Sequence, residues 1–390
     1  MQIIMPEEVR SILTALTSAG YPAYIVGGCV RDRLMGKEPQ DWDIATSALP
    51  DKIKDIFPYT IDTGIKHGTV TVVIEGMGYE VTTFRIDGAY LDARRPMGVT
   101  FTSDIEEDLS RRDFTVNAMA YNPSAGLVDP FGGAEDIRKK NIRCVGCAAN
   151  RFNEDALRMM RAIRFSAQLS FSIDLDTYSA ISLLAGRLGL ISMERIREEL
   201  TKILLSPNPQ AVSMLEEVKL WPHVLRGKSF KGDLTTPYLN KCPKEPAMLY
   251  ALLLAEEEFM RHLKFDNRTI KETALYTKWL HKHIINDRYT VKTVLNIMGP
   301  GQLKNLIKLK KIITPKESVH WDAVSALCCD IIKSGECYTL KDLAVNGRDL
   351  IAAGIPPGKN MGRIMADLLD KVMADPKFNQ KDALLNEVMR

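Results

Sequence analysis

A chain of 390 residues exceeds one ordinary hydrophobic core, and its length predicts roughly two to four domains. With 45% apolar and 26% charged residues and no biased tract, the composition is that of a soluble globular protein and excludes fibrous or disordered classes. A net charge of +3 says little about partners, seven irregularly spaced cysteines give no disulfide framework, and the longest apolar run, Ala247 to Ala255, falls far short of the roughly 20 residues of a membrane span.

The opening residues lack the basic-then-apolar pattern of a signal peptide, so a cytoplasmic location and no membrane are expected. Residues 6–18 read as a helix with Val9, Ile12, Leu13 and Leu16 on one face. Tyr24-Ile25-Val26 reads as a short strand running into Gly27-Gly28 and a helix start. Glycines there let backbone approach a triphosphate, and a helix N-terminus offers free N–H groups to anionic oxygens. Taken alone, a glycine pair is better explained as a structural turn.

Asp41-Trp42-Asp43 follows. On a strand, positions i and i+2 point the same way, so two carboxylates would stand together, and a hard divalent cation such as Mg2+ is the usual neutraliser. Two loop acids, one capping near Ile44-Ala45-Thr46, explain a lone D-x-D at least as well. His67 to Ile74 and Tyr79 to Phe84 are β-rich runs joined by Glu75-Gly76-Met77-Gly78, a hairpin signal. Alternation there puts Glu80 on one face with Thr82 and Phe84, as a candidate third oxygen donor. The ordered set of Gly-Gly, D-x-D and strand glutamate points to phosphoryl transfer, in which one metal activates a 3′-hydroxyl and another steadies the departing pyrophosphate.

From about residue 151 helical periodicity takes over, with breaks expected at Ser206-Pro207-Asn208-Pro209, at 227–246 and at Gly299-Pro300-Gly301. Between Arg261 and Lys316, thirteen Lys and Arg face three acids, a pattern that fits either a solvated helix face or a nucleic-acid footprint. Cys144 and Cys147 form a C-x-x-C with no second zinc-spaced pair, and Cys328-Cys329 is expected on a buried helix face. Near the carboxy end, 343–350 and 356–362 suggest helices joined by a phosphate-touching glycine turn, with Lys359 and Arg363 beside it.

Five ordered blocks carry a resemblance to the class II tRNA nucleotidyltransferases, a branch of the polymerase-β-like superfamily that includes bacterial poly(A) polymerases. Gly27-Gly28-Cys29-Val30-Arg31-Asp32 through Asp41-Trp42-Asp43-Ile44-Ala45-Thr46 resembles the family's first motif, and Asp87 to Pro96 resembles its flexible loop for adenosine addition. Arg111-Arg112-Asp113-Phe114-Thr115-Val116-Asn117-Ala118 resembles the ribose-recognising motif. Arg151 to Arg158 with Arg161 resembles the base-selecting helix, and Glu194 to Leu200 the helix-stabilising motif after it. Where relatives carry a Gly-Asp-Pro-like turn before that helix, this chain has Gly146-Cys147-Ala148-Ala149-Asn150.

The resemblance implies catalysis by Asp41, Asp43 and Glu80, with Mg2+ on Asp41 and Asp43, and nucleotide binding by Gly27, Gly28, Arg31, Arg111, Arg112, Asp113, Asn117, Asp155, Arg158 and Arg161. Asp155 and Arg158, three apart, would share a helix face. A carboxylate accepts from the exocyclic amine of cytosine or adenine while a guanidinium donates to the ring nitrogen beside it, a pattern that uracil and guanine reverse. Glu154 and Arg161 would orient that pair.

The expected fold is α+β, with a polymerase-β-like head of mixed sheet and helices followed by an all-α neck, body and tail. Boundaries fall at 1–145 for the head, 146–206 for the neck, 207–315 for the body and 316–390 for the tail. The expected activity is addition of C-C-A to the tRNA 3′ end from CTP and ATP, without a template and with release of pyrophosphate. The alternatives are an A-adding partial enzyme, a bacterial poly(A) polymerase and, from a different class, a non-catalytic RNA-binding protein on the same scaffold.

Overall fold

The amphipathic periodicity of the first helix and the alternating runs after it predict an α/β layer, and the computed structural model, which describes residues 2–88 and 98–389, contains one. Helix α1 (Glu7–Ser18) buries Val9, Ile12, Leu13 and Leu16. It covers one face of a seven-stranded sheet built from β1 (Ala23–Val26), β2 (Ile44–Thr46), β3 (Thr60–Gly64), β4 (Thr69–Ile74), β5 (Met77–Thr83), and two later strands. A separate ribbon, β6 (Arg85–Asp87) with β7 (Val99–Phe101), lies between them in sequence. The remaining sheet strands are β8 (Ala120–Asn122) and β9 (Gly126–Val128), giving the order β3-β4-β5-β2-β1-β8-β9.

The β2–β5 pair is parallel and every other pair in that sheet is antiparallel, so the sheet is mixed as expected. Alternation along the strands divides the core. Ile25, Ile44, Val70, Val72 and Val81 pack with α1 on one face, and Val26, Ala45, Phe84, Leu109 and Ala120 cluster on the other. The β4–β5 turn forms at Glu75 and Gly76, with φ of 51° and 80° between Ile74 and Met77, the double left-handed geometry that suits a two-residue hairpin.

Helices follow: α2 (Gly28–Leu34) and α3 (Pro50–Ile56) within the sheet sequence, then α4 (Ile105–Ser110), α5 (Gly133–Lys139), α6 (Ala148–Glu154), α7 (Leu157–Leu169), α8 (Leu175–Leu184), α9 (Met193–Leu204), α10 (Met214–Glu217) and α11 (Trp221–Leu225). By contacts the chain forms two units, Met1–Ser229 with His262–Lys264, and Phe230–Arg261 with Phe265–Arg390. That boundary lies inside the 207–315 segment; the four-part division into head, neck, body and tail remains our proposal for substructure within the two units.

The second unit is helical, from α12 (Pro246–Leu252) and α13 (Glu257–His262) through α14 (Asn267–Leu280), α15 (Arg288–Ile313), α16 (Ser318–Lys333), α17 (Gly347–Ala352) and α18 (Lys359–Ala374) to α19 (Lys381–Met389). The break expected at Gly299-Pro300 is a kink within α15, where Gly299 has φ of 75°. The basic stretch is not a uniform footprint. Lys292 and Lys310 are buried, and their ammonium groups donate to Met373 O at 3.3 Å and Leu280 O at 3.0 Å, carbonyls at the last residue but one of α18 and the last of α14. Arg261, Arg268, Arg288 and Lys311 stand in ion pairs with Glu257, Glu272, Asp330 and Asp322. Of the cysteine expectations, Cys328 is buried but Cys329 is exposed, and Cys144 is buried while Cys147 is exposed.

Candidate active site

The sheet brings the first candidates together at one end. Val26 N donates to Asp43 O at 3.0 Å, so the residue before β2 still pairs with the end of β1 just where Gly27 begins. Ile44 pairs with Val81 in parallel register, and one step back along both strands Asp43 lies beside Glu80. The acids themselves are not on a strand: β2 starts at Ile44, and Asp41 to Asp43 form the segment entering it. This corrects the strand expectation; the apolar alternation that holds a strand in a sheet begins only at Ile44, after four polar or amphipathic residues from Gln40.

Gly27 has φ of 74°, so the turn needs glycine, and the Arg112 guanidinium lies against it, 2.8 Å from where a Cβ would stand. Protein walls around the water-accessible Asp43 raise its carboxyl above the ordinary value; Arg112 opposes that rise, and the charges of Glu80 and Asp41 add to it. No side-chain hydrogen bond or ion pair engages Asp41, Asp43 or Glu80 among the described residues. No three His, Cys, Asp or Glu side chains among them come close enough to hold a metal ion unaided. Glu80, in register opposite Thr71, lines a second cavity together with Asp43.

The second group of candidates lines a cavity of about 440 Å3 together with the first. Gly27, Gly28, Arg31 and Asp43 form one wall, Arg111, Arg112, Asp113 and Asn117 another, and Asp155, Arg158, Arg161 and Arg195 a third. Arg31 donates to Asn117 Oδ1 at 2.6 Å, and Asn117 Nδ2 to Asp113 Oδ1 at 3.4 Å. Arg161 Nε donates to Asp113 Oδ2 at 2.7 Å. Burial alone would push the Asp113 carboxyl up, but the charge and hydrogen bond of Arg161, with Arg158 and the Phe114 amide, hold it below the usual range. Asp113 is thus more than a cap, and the hydrogen bond of Arg161 goes to Asp113, with the Asp155 charge also acting on Arg161.

The base-selecting segment departs from its expected form. Helix α6 ends at Glu154, Asp155 is extended with φ of −138°, and α7 starts at Leu157, so Asp155 and Arg158 do not share a helix face. Asp155 breaks the helix by accepting from Leu157 N at 3.0 Å, a side-chain bond that competes with helix continuation. Arg195 on α9 grips the same carboxylate at 2.8 and 3.3 Å. Arg158 pairs with Glu154 at 2.5 Å and donates to Arg111 O at 3.1 Å. Both Asp155 and Arg158 nonetheless face the cavity. The expected adenosine loop lies, from residue 89 to 97, outside the described residues; its flanks pair in the β6–β7 ribbon, with Gly88 N donating to Gly98 O at 2.9 Å.

One acid escaped the sequence reading, as did the partner of another. Asp108, 1% exposed, accepts from Arg111 at 2.8 and 3.0 Å and from Arg112 at 3.2 Å, aiming both arginines at the cavity. Burial opposes its ionisation, yet the two guanidinium charges keep its carboxyl below the ordinary range. Its spacing of three and four residues before Arg111 and Arg112 on a helix end was the available signal. Glu199, 4% exposed and paired with Arg164 at 2.7 Å, stood within the Glu194 to Leu200 motif, but its partner could not be read because it comes from another helix.

A mixed sheet presenting a glycine turn and paired acids beside a cluster of cavity-lining arginines defines a nucleotidyltransferase head. Residues 23–143 match the poly(A) polymerase head domain family, 170–229 an RNA- and SrmB-binding region of polymerase A, and 247–388 domain 2 of tRNA nucleotidyltransferases. The CCA-adding enzyme of Levilactobacillus brevis is 39% identical over 98% of both chains, and that of Geobacillus kaustophilus is 39% identical over 97% of this chain and 95% of its own. The crystal structure of the Bacillus stearothermophilus CCA-adding enzyme in complex with CTP superposes with a TM-score of 0.87 at 36% identity, covering 99% of this chain and 98% of that one. The chain belongs to the CCA-adding enzymes, a family of tRNA nucleotidyltransferases. No helix among the described residues is long and apolar enough to cross a membrane.

Proposed function

We propose that the chain adds C-C-A to the 3′ end of tRNA from CTP and ATP, using the cavity as a single nucleotide site. The observation that carries this reading is the meeting, in one cavity, of the Gly27–Gly28 turn and Asp43 with Asp155 and Arg158, which joins groups suited to a triphosphate with groups suited to a base. The solved relative in complex with CTP supports CTP as one substrate. All seven cysteines are free, in keeping with the reducing cytoplasm we propose as its location.

Mg2+ fits the acids. Asp43 is raised by the protein walls around it and by the charges of Glu80 and Asp41, with Arg112 the opposing cation, so the cluster carries negative charge that a hard divalent ion would relieve. Asp41 and Asp43 would hold it, and when bound it supplies positive charge at the triphosphate and favours ionisation of the attacking 3′-hydroxyl. Glu80, which lines a cavity with Asp43, is our candidate for the supporting acid. The Gly27–Gly28 backbone allows the phosphates to approach, and Arg31, Arg111 and Arg112 offer them charge. Asn117 and Asp113, read from sequence as ribose contacts, act by holding Arg31 and Arg161.

Asp155 and Arg158 choose the base. A carboxylate has about four lone-pair sites and a guanidinium five N–H donors, so each keeps capacity beyond the contacts it makes within the protein. Lys359 and Arg363, beside the Gly358 turn that opens α18, are our candidates for tRNA contact in the second unit. Supplying tRNA ending in C-C with each nucleotide singly tests the reading: a single A from ATP alone is the expected product, and incorporation of UTP or GTP at comparable rate would contradict it.

A further inference from the structure

Phe165 on α7 lies against the cavity, 7% exposed, and three guanidinium groups surround its ring. Their central carbons lie 4.2 Å (Arg164), 5.3 Å (Arg161) and 5.7 Å (Arg31) from the ring centroid. The ring itself is fixed by Phe114, whose centroid is 5.7 Å away at an interplanar angle of 77°. Each cation has a separate anchor: Arg31 on Asn117 and Asp32, Arg161 on Asp113, and Arg164 on Glu199. These anchors come from different elements, and all three cations meet at the Phe165 ring.

Three like charges around one point repel, and more strongly where water is thin. An aromatic ring opposes that repulsion because its faces carry negative potential that attracts a cation within about 6 Å. An aliphatic side chain of similar volume fills the space without the attraction. Arg164 already registers the crowding: burial depresses its guanidinium, Glu199 restores part of the loss, and Arg161 and Arg31 add to the depression.

We propose that Phe165 is a positioning residue for nucleotide binding, its ring holding Arg31 and Arg161 at the cavity wall before the triphosphate arrives. The proposal rests on the reading of the cavity as the nucleotide site. Loss of the ring should therefore weaken capture of every nucleotide alike, since it acts on the phosphate side, and leave base choice intact.

The test compares Phe165→Leu, Phe165→Tyr and Arg31→Ala in the full chain with magnesium. The measurements are steady-state kinetics on tRNA ending in C-C, CTP and ATP binding by calorimetry, and melting temperature. Phe165→Leu should raise KM for ATP and the dissociation constants of both nucleotides by about tenfold, change kcat by less than about twofold, and keep the preference over UTP and GTP. Phe165→Tyr, which keeps the ring, should recover most of the loss. If Phe165→Leu binds nucleotide as wild type does while Arg31→Ala is weakened, the ring has no positioning role. Equal impairment of the Leu and Tyr variants at wild-type melting temperature overturns it as well. If Arg31→Ala also binds normally, the cavity reading itself fails. Should Phe165→Leu melt far below wild type, Phe165→Met at near-native volume takes its place with the same expected tenfold weakening.

Discussion

Arg195 and Asp155, forty residues apart in the chain, meet in a two-bond carboxylate–guanidinium pair, with nitrogen–oxygen distances of 2.8 and 3.3 Å. Asp155 sits at a helix break, where nothing in its own segment but the Leu157 amide fixes its side chain. The pair therefore ties the proposed base-reading carboxylate to the sturdier α9. Arg195→Ala should lower discrimination of CTP and ATP against UTP and GTP by about tenfold, the scale of one bidentate contact. Single-nucleotide incorporation assays would measure it, and an unchanged ratio would remove Arg195 from base selection.

Arg158 has a different dependence, on Glu154 and on the Arg111 carbonyl. Arg158→Ala should relax base choice by roughly tenfold or more while changing tRNA affinity by less than about twofold. A variant that bound tRNA poorly yet kept nucleotide preference would place Arg158 on the RNA instead of the base.

Asp41→Ala and Asp43→Ala should each lower kcat by about a thousandfold or more with the fold retained by circular dichroism. Asp43 also makes a signed prediction about pH. Its folded-state pKa is raised above the ordinary 3.8, so the native state binds the proton more tightly than the unfolded chain and loses stability as pH rises from there through the raised value. Asp43→Asn escapes that cost. It should melt above wild type at neutral pH in the absence of metal, with the gap narrowing as pH falls towards about 4. A variant melting below wild type at neutral pH would mean that a stabilising partner outweighs the desolvation and repulsion acting on Asp43.

How much of this was legible beforehand differs by residue. The β4–β5 hairpin and the buried face of α1 follow from period-two and period-3.6 patterns that a sequence prints directly. The helix break at Asp155 does not, because Glu154 to Arg161 is fully helix-competent and the carboxylate at the break is held by Leu157 N and by Arg195 from distant α9. Asp108 looked like one acid among four at a helix start; its burial under Arg111 and Arg112 is a tertiary outcome. The basic stretch misled in part for the same reason. Lys292 and Lys310 lie within apolar stripes, beside Val291 and Leu309, and serve helix ends rather than solvent.

Lys310 extends that point into a measurement. Burial lowers its ammonium from 10.5 to about 8, with Glu317 opposing, so the unfolded chain binds the proton more tightly than the native one. Stability should rise with pH between about 8 and 10.5, and below about 8 the full cost of the buried charge is present. Denaturant unfolding of wild type against Lys310→Met isolates the effect: wild type gains relative to the variant across that window. A constant difference would show that Lys310 titrates as an exposed lysine does.

The central claim is tested most directly by incubating the protein and magnesium with tRNA ending at the discriminator base, together with CTP and ATP, and sequencing the products. The account predicts C-C-A on the 3′ end and nothing beyond it. Addition of A only to ends that already carry C-C, or long A tails on unrelated RNA, would contradict it.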